Sequence, residues 1–180
     1  MQRIVVLGVS ASGKTTLAQN LSAILGYPHI ELDALHWEAD WKEAEDSVMQ
    51  SRASAAIQEK HWIADGNYRS VREIIWPEAD TFIWLDYPLY VILARLTFRT
   101  LSRVFLRQTL WNGNKERFKN QFFSRNSLYV WVFQTYWRRK KEYPAMFQTP
   151  EYATKYIIRF KSPRECAVWL KRLKDTHAAE

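Results

Sequence analysis

Gly8-Val9-Ser10-Ala11-Ser12-Gly13-Lys14-Thr15 is an unbroken G-x-x-x-x-G-K-T loop, and its reading decides the fold of the rest. Ahead of it, Ile4-Val5-Val6-Leu7 is a continuous aliphatic run, which suits a strand buried on both faces of a parallel sheet. Behind it, Leu17, Ala18, Leu21, Ile24 and Leu25 recur at helical spacing. The loop therefore sits between a strand and a helix N-terminus, where converging backbone N–H groups and the helix dipole favour a phosphate. Gly8 and Gly13 open backbone dihedrals closed to other residues. Lys14 is placed to reach the β- and γ-phosphates of a nucleotide, and the Thr15 hydroxyl to ligate Mg²⁺. The candidate nucleotide-binding set is Gly8, Ser10, Ala11, Ser12, Gly13, Lys14, Thr15 and Thr16.

Outward from the loop, Gly26 is a helix C-cap, and Pro28 to Leu32 reads as a second strand ending at Asp33. A Trp-rich acidic loop leads to a helix over Ser47 to Lys60 with Val48, Ala55, Ala56 and Ile57 as its apolar face. His61 to Ala64 is a third strand running into Asp65-Gly66-Asn67-Tyr68-Arg69, and a short helix from Ser70 is stopped by Pro77. Thr81 to Leu85 is a fourth strand ending at Asp86. A helix opens at Pro88 and runs to about Leu110, and a second spans Asn120 to Lys141. Pro144 to Pro150 reads as extended, and Lys155 to Phe160 as a fifth strand. Ser162-Pro163-Arg164-Glu165 is a capping box opening a last helix with Ala167, Val168, Leu170 and Leu173 apolar. Strands alternating with helices imply a parallel sheet covered on both faces, with ligands at the carboxyl ends of the strands. The loop, Asp33, Asp65 and Asp86 all fall there.

The 180 residues are long enough for one domain, 1–180, with a substantial core. The apolar run at the start ends at Leu7, too short for a secretory leader, and no run is long enough to span a bilayer. The single cysteine, Cys166, excludes an internal disulfide or a thiolate cluster; these readings predict a cytoplasmic protein. Of the 26 Lys and Arg, twelve lie between Val91 and Glu142 against two glutamates, so the excess behind the net charge of +7 is confined to that segment. Within it Arg95, Arg99, Arg103 and Arg107 recur every four residues without interleaved acids, a stripe along one helix that faces either phosphates or bulk solvent, its mutual repulsion favouring an anionic partner for Arg95 and Arg99. His29 and His36 have no Cys or Glu at metal spacing, which argues against zinc. Asn114-Lys115-Glu116-Arg117 lacks the aspartate of the guanine signature N-K-x-D, which argues against a GTPase. The Trp and Tyr residues from Trp131 to Trp137 read as core.

Together these segments resemble the P-loop nucleoside-monophosphate-kinase superfamily over nearly the whole chain. Asp65-Gly66-x-x-Arg69 is similar to the D-G-F-P-R of adenylate kinases, and Asp86-x-Pro88 to their D-x-P. Arg95 and Arg99 follow Asp86 as the adenine-stacking and phosphate-binding arginines do there. IELDALHW, DGNY, WLDYP and WNGN are similar to a bacterial branch of adenylate-kinase-related proteins also called DNA topology modulation proteins. The resemblance implies a three-layer α/β fold, a five-stranded parallel sheet in the order 2-3-1-4-5, and a basic helical lid at about 100–142. It also implies an ATP-dependent kinase acting on a nucleotide or similar small acceptor, as monomer or homodimer, with no membrane partner.

Three departures stand out: on the acceptor side His36 replaces the arginine that grips AMP phosphate and Asn67-Tyr68 replaces Phe-Pro, and in the phosphate loop Thr15-Thr16 replaces Gly-Thr. The expected roles are catalysis by Lys14, Asp33, Arg95 and Arg99, with Arg95 also on ATP. Acceptor binding falls to Asp33, His36, Asn67 and Arg69, and Mg²⁺ to Thr15 and, through water, Asp65. Asp33 either orients or deprotonates an acceptor hydroxyl, or caps a helix; Arg69 suits an acidic group on the acceptor; Asp86 reads as a structural cap. The alternative is a nucleic-acid-binding P-loop protein that lays its basic lid on a phosphate backbone.

Overall fold

The computed structural model describes residues 1–105, 112 and 128–178. In chain order the elements are β1 (Arg3–Gly8), α1 (Lys14–Leu25), β2 (His29–Glu31), α2 (Leu32–His36), α3 (Asp46–Ala56), β3 (Trp62–Asp65) and α4 (Arg72–Glu78). They continue with β4 (Thr81–Leu85), α5 (Leu89–Phe105), α6 (Leu128–Phe147), β5 (Tyr156–Phe160) and α7 (Pro163–His177). The five strands form one sheet in the order β2-β3-β1-β4-β5, all pairs parallel, as predicted.

β1 lies at the centre, and its uninterrupted apolar run follows from that place. Ile4 and Val6 face one layer with Leu17, Leu21, Ile92, Leu96, Val132 and Tyr136. Val5 and Leu7 face the opposite layer with Met49, Ala53, Ile75, Trp76 and Tyr143. Each β1 side chain is thus removed from water on its own face, and a polar residue anywhere in the run would be buried without a partner. Parallel strands point their carboxyl ends the same way, so Gly8, Glu31, Asp65 and Leu85 reach one edge.

Several local readings change. α3 turns Met49 and Ala53 inward, whereas Val48 is 38% exposed; the two buried residues are four apart and define the face. α4 passes through Pro77 and ends at Glu78, because a proline this near the end forfeits a single hydrogen bond. α6 likewise continues through Pro144 to Phe147. Proline inside a helix costs about 3 kcal/mol, but Tyr143 and Phe147 on either side pack with Phe82, Trp84 and Tyr152, and each such ring returns roughly 1.5–3 kcal/mol on burial. Of the aromatics between Trp131 and Trp137, Tyr136 is core, while Trp131, Phe133 and Trp137 are 48%, 49% and 60% exposed. In α7 the inward positions are Cys166, Trp169, Leu170 and Leu173, with Val168 exposed. Its N-cap is as read: Ser162 Oγ accepts from Glu165 N at 3.2 Å, and Glu165 accepts from Lys161 N at 2.8 Å.

The lid core, with Arg107 and Lys115 to Arg125, lies outside the described residues, as does the side chain of Arg103. No helix among the described residues is long and apolar enough to cross a membrane.

Candidate functional site

The loop between β1 and α1 takes the shape its glycines allow. Gly13 has φ 97°, and a Cβ there would stand 2.9 Å from the Arg95 guanidinium. Ala11 also adopts a left-handed conformation, φ 62°, so the chain curls twice within three residues. The backbone N–H of Ser12 donates to the Val9 carbonyl and that of Leu17 to the Gly13 carbonyl, closing the loop onto the first turn of α1. Ser10 is half-buried and Thr16 exposed, while Ser12 is fully buried.

Lys14 donates to the Val9 carbonyl at 3.3 Å and so folds back over the loop. Burial lowers its pKa from the ordinary 10.5; the carboxylates of Asp33 and Asp65 oppose the shift, and the guanidiniums of Arg139 and Arg99 add to it. One ammonium therefore faces two carboxylates and two arginines that come from four different elements or loops.

Asp65, the last residue of β3, is buried, and its Oδ2 accepts from Thr15 Oγ1 at 2.5 Å. Two hard oxygens side by side next to a phosphate loop suit Mg²⁺, which is held by few protein groups and completes its shell with phosphate and water. No group of three or more His, Cys, Asp or Glu suited to a metal occurs among the described residues. Thr15 and Asp65 are the residues that could hold the ion.

The acceptor-side residues gather around α2. Gly66, φ 137°, allows the end of β3 to pass against Leu32; a Cβ there would come within 2.7 Å of Leu32 Cβ. That approach sets Asp33 in the first turn of α2. The residue preceding the helix is Glu31, so Asp33 is not its cap. The Tyr68 hydroxyl donates to Asp33 Oδ1 at 2.5 Å, and burial together with the Asp33 charge raises the Tyr68 pKa, keeping the phenol protonated as a donor. His36 packs against the rings of Tyr68 and Trp37, with centroids 4.4 and 4.8 Å away, and its Nδ1 is buried without a hydrogen-bond partner. Arg69 is exposed in the adjoining turn. Asn67 is fully engaged: its amide N donates to the Gly8 carbonyl at 2.5 Å and its amide O accepts from the Tyr143 hydroxyl at 3.1 Å. It ties the loop to α6.

Arg95 reaches from α5 to the Ser12 carbonyl, 2.7 Å, and lies over the Tyr87 ring at 5.2 Å. Asp86 is structural by another route than a cap: Arg159 of β5 grips its Oδ2 at 2.5 and 3.0 Å, and Lys140 stands 4.0 Å from Oδ1. Two contributors escaped the sequence reading. Arg139 is buried on α6 and donates to the Gly8 carbonyl at 3.1 Å, and His29 stands against Asp65. Arg139 was one of four consecutive basic residues, and only the packed helix shows which of them turns inward.

No protein-family model matches the chain. Among curated proteins it is similar to shikimate kinase 3, chloroplastic, of Oryza sativa subsp. japonica, 29% identical over an alignment of 124 positions that covers 58% of this chain and 42% of that protein. It is also similar to shikimate kinase of Synechococcus elongatus, 26% identical over 137 residues, 63% of this chain and 70% of that protein. The chain thus spans less than half the length of the rice relative. Among solved structures, shikimate kinase from Bacteroides thetaiotaomicron superposes with a TM-score of 0.56 at 15% identity, covering 97% of each chain. The fold is that of the P-loop kinases. In open parallel sheets ligands bind outside the carboxyl ends of the strands, the edge at which Gly8, Asp33 and Asp65 lie.

Proposed function

We propose that this chain is a P-loop phosphotransferase that moves the γ-phosphoryl group of ATP to a hydroxyl of a small acceptor. The observation that carries the reading is the convergence of Lys14, the Thr15–Asp65 pair and the Asp33–Tyr68 pair at one sheet edge. The acceptor oxygen attacks the γ-phosphorus, the bond from that phosphorus to the β-bridging oxygen breaks, and the acceptor proton passes to Asp33. Tyr68 holds the Asp33 carboxylate in orientation for that transfer. Charge gathering on the moving group and on the leaving ADP is met by Lys14, Arg95, Arg99 and Arg139, of which Lys14, Arg95 and Arg139 already stand on carbonyls of the phosphate loop. Thr15 and Asp65 would hold Mg²⁺, which would supply further positive charge to the polyphosphate.

Acceptor recognition is assigned to Asp33, His36 and Arg69, with Asn67 as a strut rather than a contact. Their chemistry fits a hydroxylated molecule, and the named activity of the relatives supports a small metabolite over a polymer. No observation favours the nucleic-acid alternative. The whole chain acts as one domain in this reading.

The test is ADP formation from Mg·ATP over a panel of nucleoside monophosphates, nucleosides, polyols and hydroxy acids. At least one class should raise turnover above the acceptor-free rate, and Asp33→Asn should remove that increment. A flat panel together with no saturable uptake of Mg·ATP would overturn the reading.

A further inference from the structure

His29 opens β2 opposite Ile63 of β3. Side chains alternate along a strand, so the imidazole shares a face with Asp65, two residues beyond Ile63. Its Nε2 lies 3.2 Å from Asp65 Oδ1, while the other carboxylate oxygen, Oδ2, takes the Thr15 hydroxyl at 2.5 Å. Only 14% of the imidazole and 3% of the carboxylate are exposed. A carboxylate accepts, so Nε2 carries the hydrogen of this contact.

We propose that His29 is a positioning residue that clamps Asp65 from the side opposite the phosphate loop. The terminal torsion of an aspartate is broad and twofold, so a carboxylate held by one hydroxyl alone can rotate away from it. With a donor on each oxygen, the plane of the Asp65 carboxylate is fixed and Oδ2 is kept beside Thr15 Oγ1. That oxygen pair is the element of the site that would receive Mg²⁺. Groups that orient a metal-binding residue in this way typically change metal affinity 10–100-fold when removed. The inference rests on the nucleotide site proposed above and adds to it a residue outside the sets assigned there to nucleotide and acceptor.

The experiment is calorimetric titration of a non-hydrolysable ATP analogue into wild type, His29→Leu and His29→Gln, each in Mg²⁺ and in EDTA. Mn²⁺ uptake by the analogue complex, followed by electron paramagnetic resonance, gives a metal readout independent of turnover. His29→Leu should weaken the Mg²⁺-dependent affinity and Mn²⁺ uptake by about tenfold or more while leaving the affinity in EDTA unchanged. His29→Gln, whose amide nitrogen reaches near the Nε2 position, should restore both. Should the leucine variant fail to fold, His29→Asn, which is polar but too short to reach Oδ1, replaces it in the comparison. Unchanged metal dependence, an equal fall with and without metal, or a glutamine variant as impaired as leucine overturns the proposal. Wild type that takes up no nucleotide in either condition overturns the nucleotide site itself, and the proposal with it.

Discussion

Replacing Arg139 by methionine should separate stability from function. The guanidinium is buried on α6, and burial lowers its pKa. Among the described residues it makes no ion pair, and its hydrogen bond goes to the neutral Gly8 carbonyl at 3.1 Å. A hydrogen bond to a charged group contributes about 1.5–3 kcal/mol, whereas keeping an unpaired ion out of water costs several kcal/mol after relaxation. The Gly8 carbonyl is not orphaned by the change, because Asn67 also donates to it. Methionine keeps most of the apolar stem. The two terms therefore nearly cancel, and Arg139→Met should alter folding stability by no more than about 1 kcal/mol, or raise it, a Tm change within roughly 2–4 °C for a chain of this size.

Function should respond otherwise. A buried cation retained at such cost, pointing at a phosphate loop and repelling Lys14, makes sense where a polyanion will arrive. Removing one preorganised charge of this kind typically costs about 10²–10³ in turnover. The assays are thermal unfolding without ligand, and calorimetric titration of an ATP analogue followed by turnover with any acceptor found in the panel. A variant that melts more than about 8 °C lower yet binds nucleotide and turns over as wild type would refute the reasoning and make Arg139 a structural residue.

The remaining expectations are more direct. Lys14→Met should abolish saturable Mg·ATP uptake with the fold retained. Because burial lowers the Lys14 pKa, the unfolded chain binds more protons between that lowered value and 10.5, so wild type should gain stability relative to Lys14→Met as pH rises through that window; urea midpoints of the two proteins at pH 7 and pH 10 check the sign. Gly66→Ala introduces a left-handed non-glycine residue and a 2.7 Å clash with Leu32; together these should cost about 2–4 kcal/mol in urea unfolding. Tyr68→Phe removes the donor to Asp33 and should raise the acceptor KM while leaving ATP-analogue affinity unchanged; equal losses in both would count against an acceptor-side role.

What was legible in the chain was what is encoded locally. The phosphate loop is a run of eight residues whose glycines, lysine and hydroxyl each have a place set by backbone geometry, and the strand before it announces double burial by having no polar position. The common edge followed from these, whereas the sheet order came with the resemblance to the P-loop kinases. The prolines misled because their cost depends on position and surroundings: Pro77 sits a residue from a helix end, and Pro144 is flanked by rings that pack under the sheet. The site's inner wall was illegible for a related reason. Whether Arg139 or Arg138 turns inward depends on the rotation of α6, which Tyr136 and Tyr143 fix by their burial three residues before and four after Arg139. Residues on one helical stripe share a face, so burying both tyrosines commits Arg139 to the interior and leaves Arg138 in solvent paired with Glu142. The aromatic core of α6 therefore has two effects, holding the helix through its proline and aiming a guanidinium at the Gly8 carbonyl. A substitution that loosens Tyr143 should accordingly weaken nucleotide binding from a distance: its hydroxyl donates to Asn67, which donates to Gly8, so Tyr143→Leu releases the loop and the arginine together. Tyr143→Phe, which keeps the ring and removes only the hydroxyl, should affect the loop alone and lower analogue affinity less, and equal affinities in the two variants would mean that α6 does not aim Arg139 through this ring.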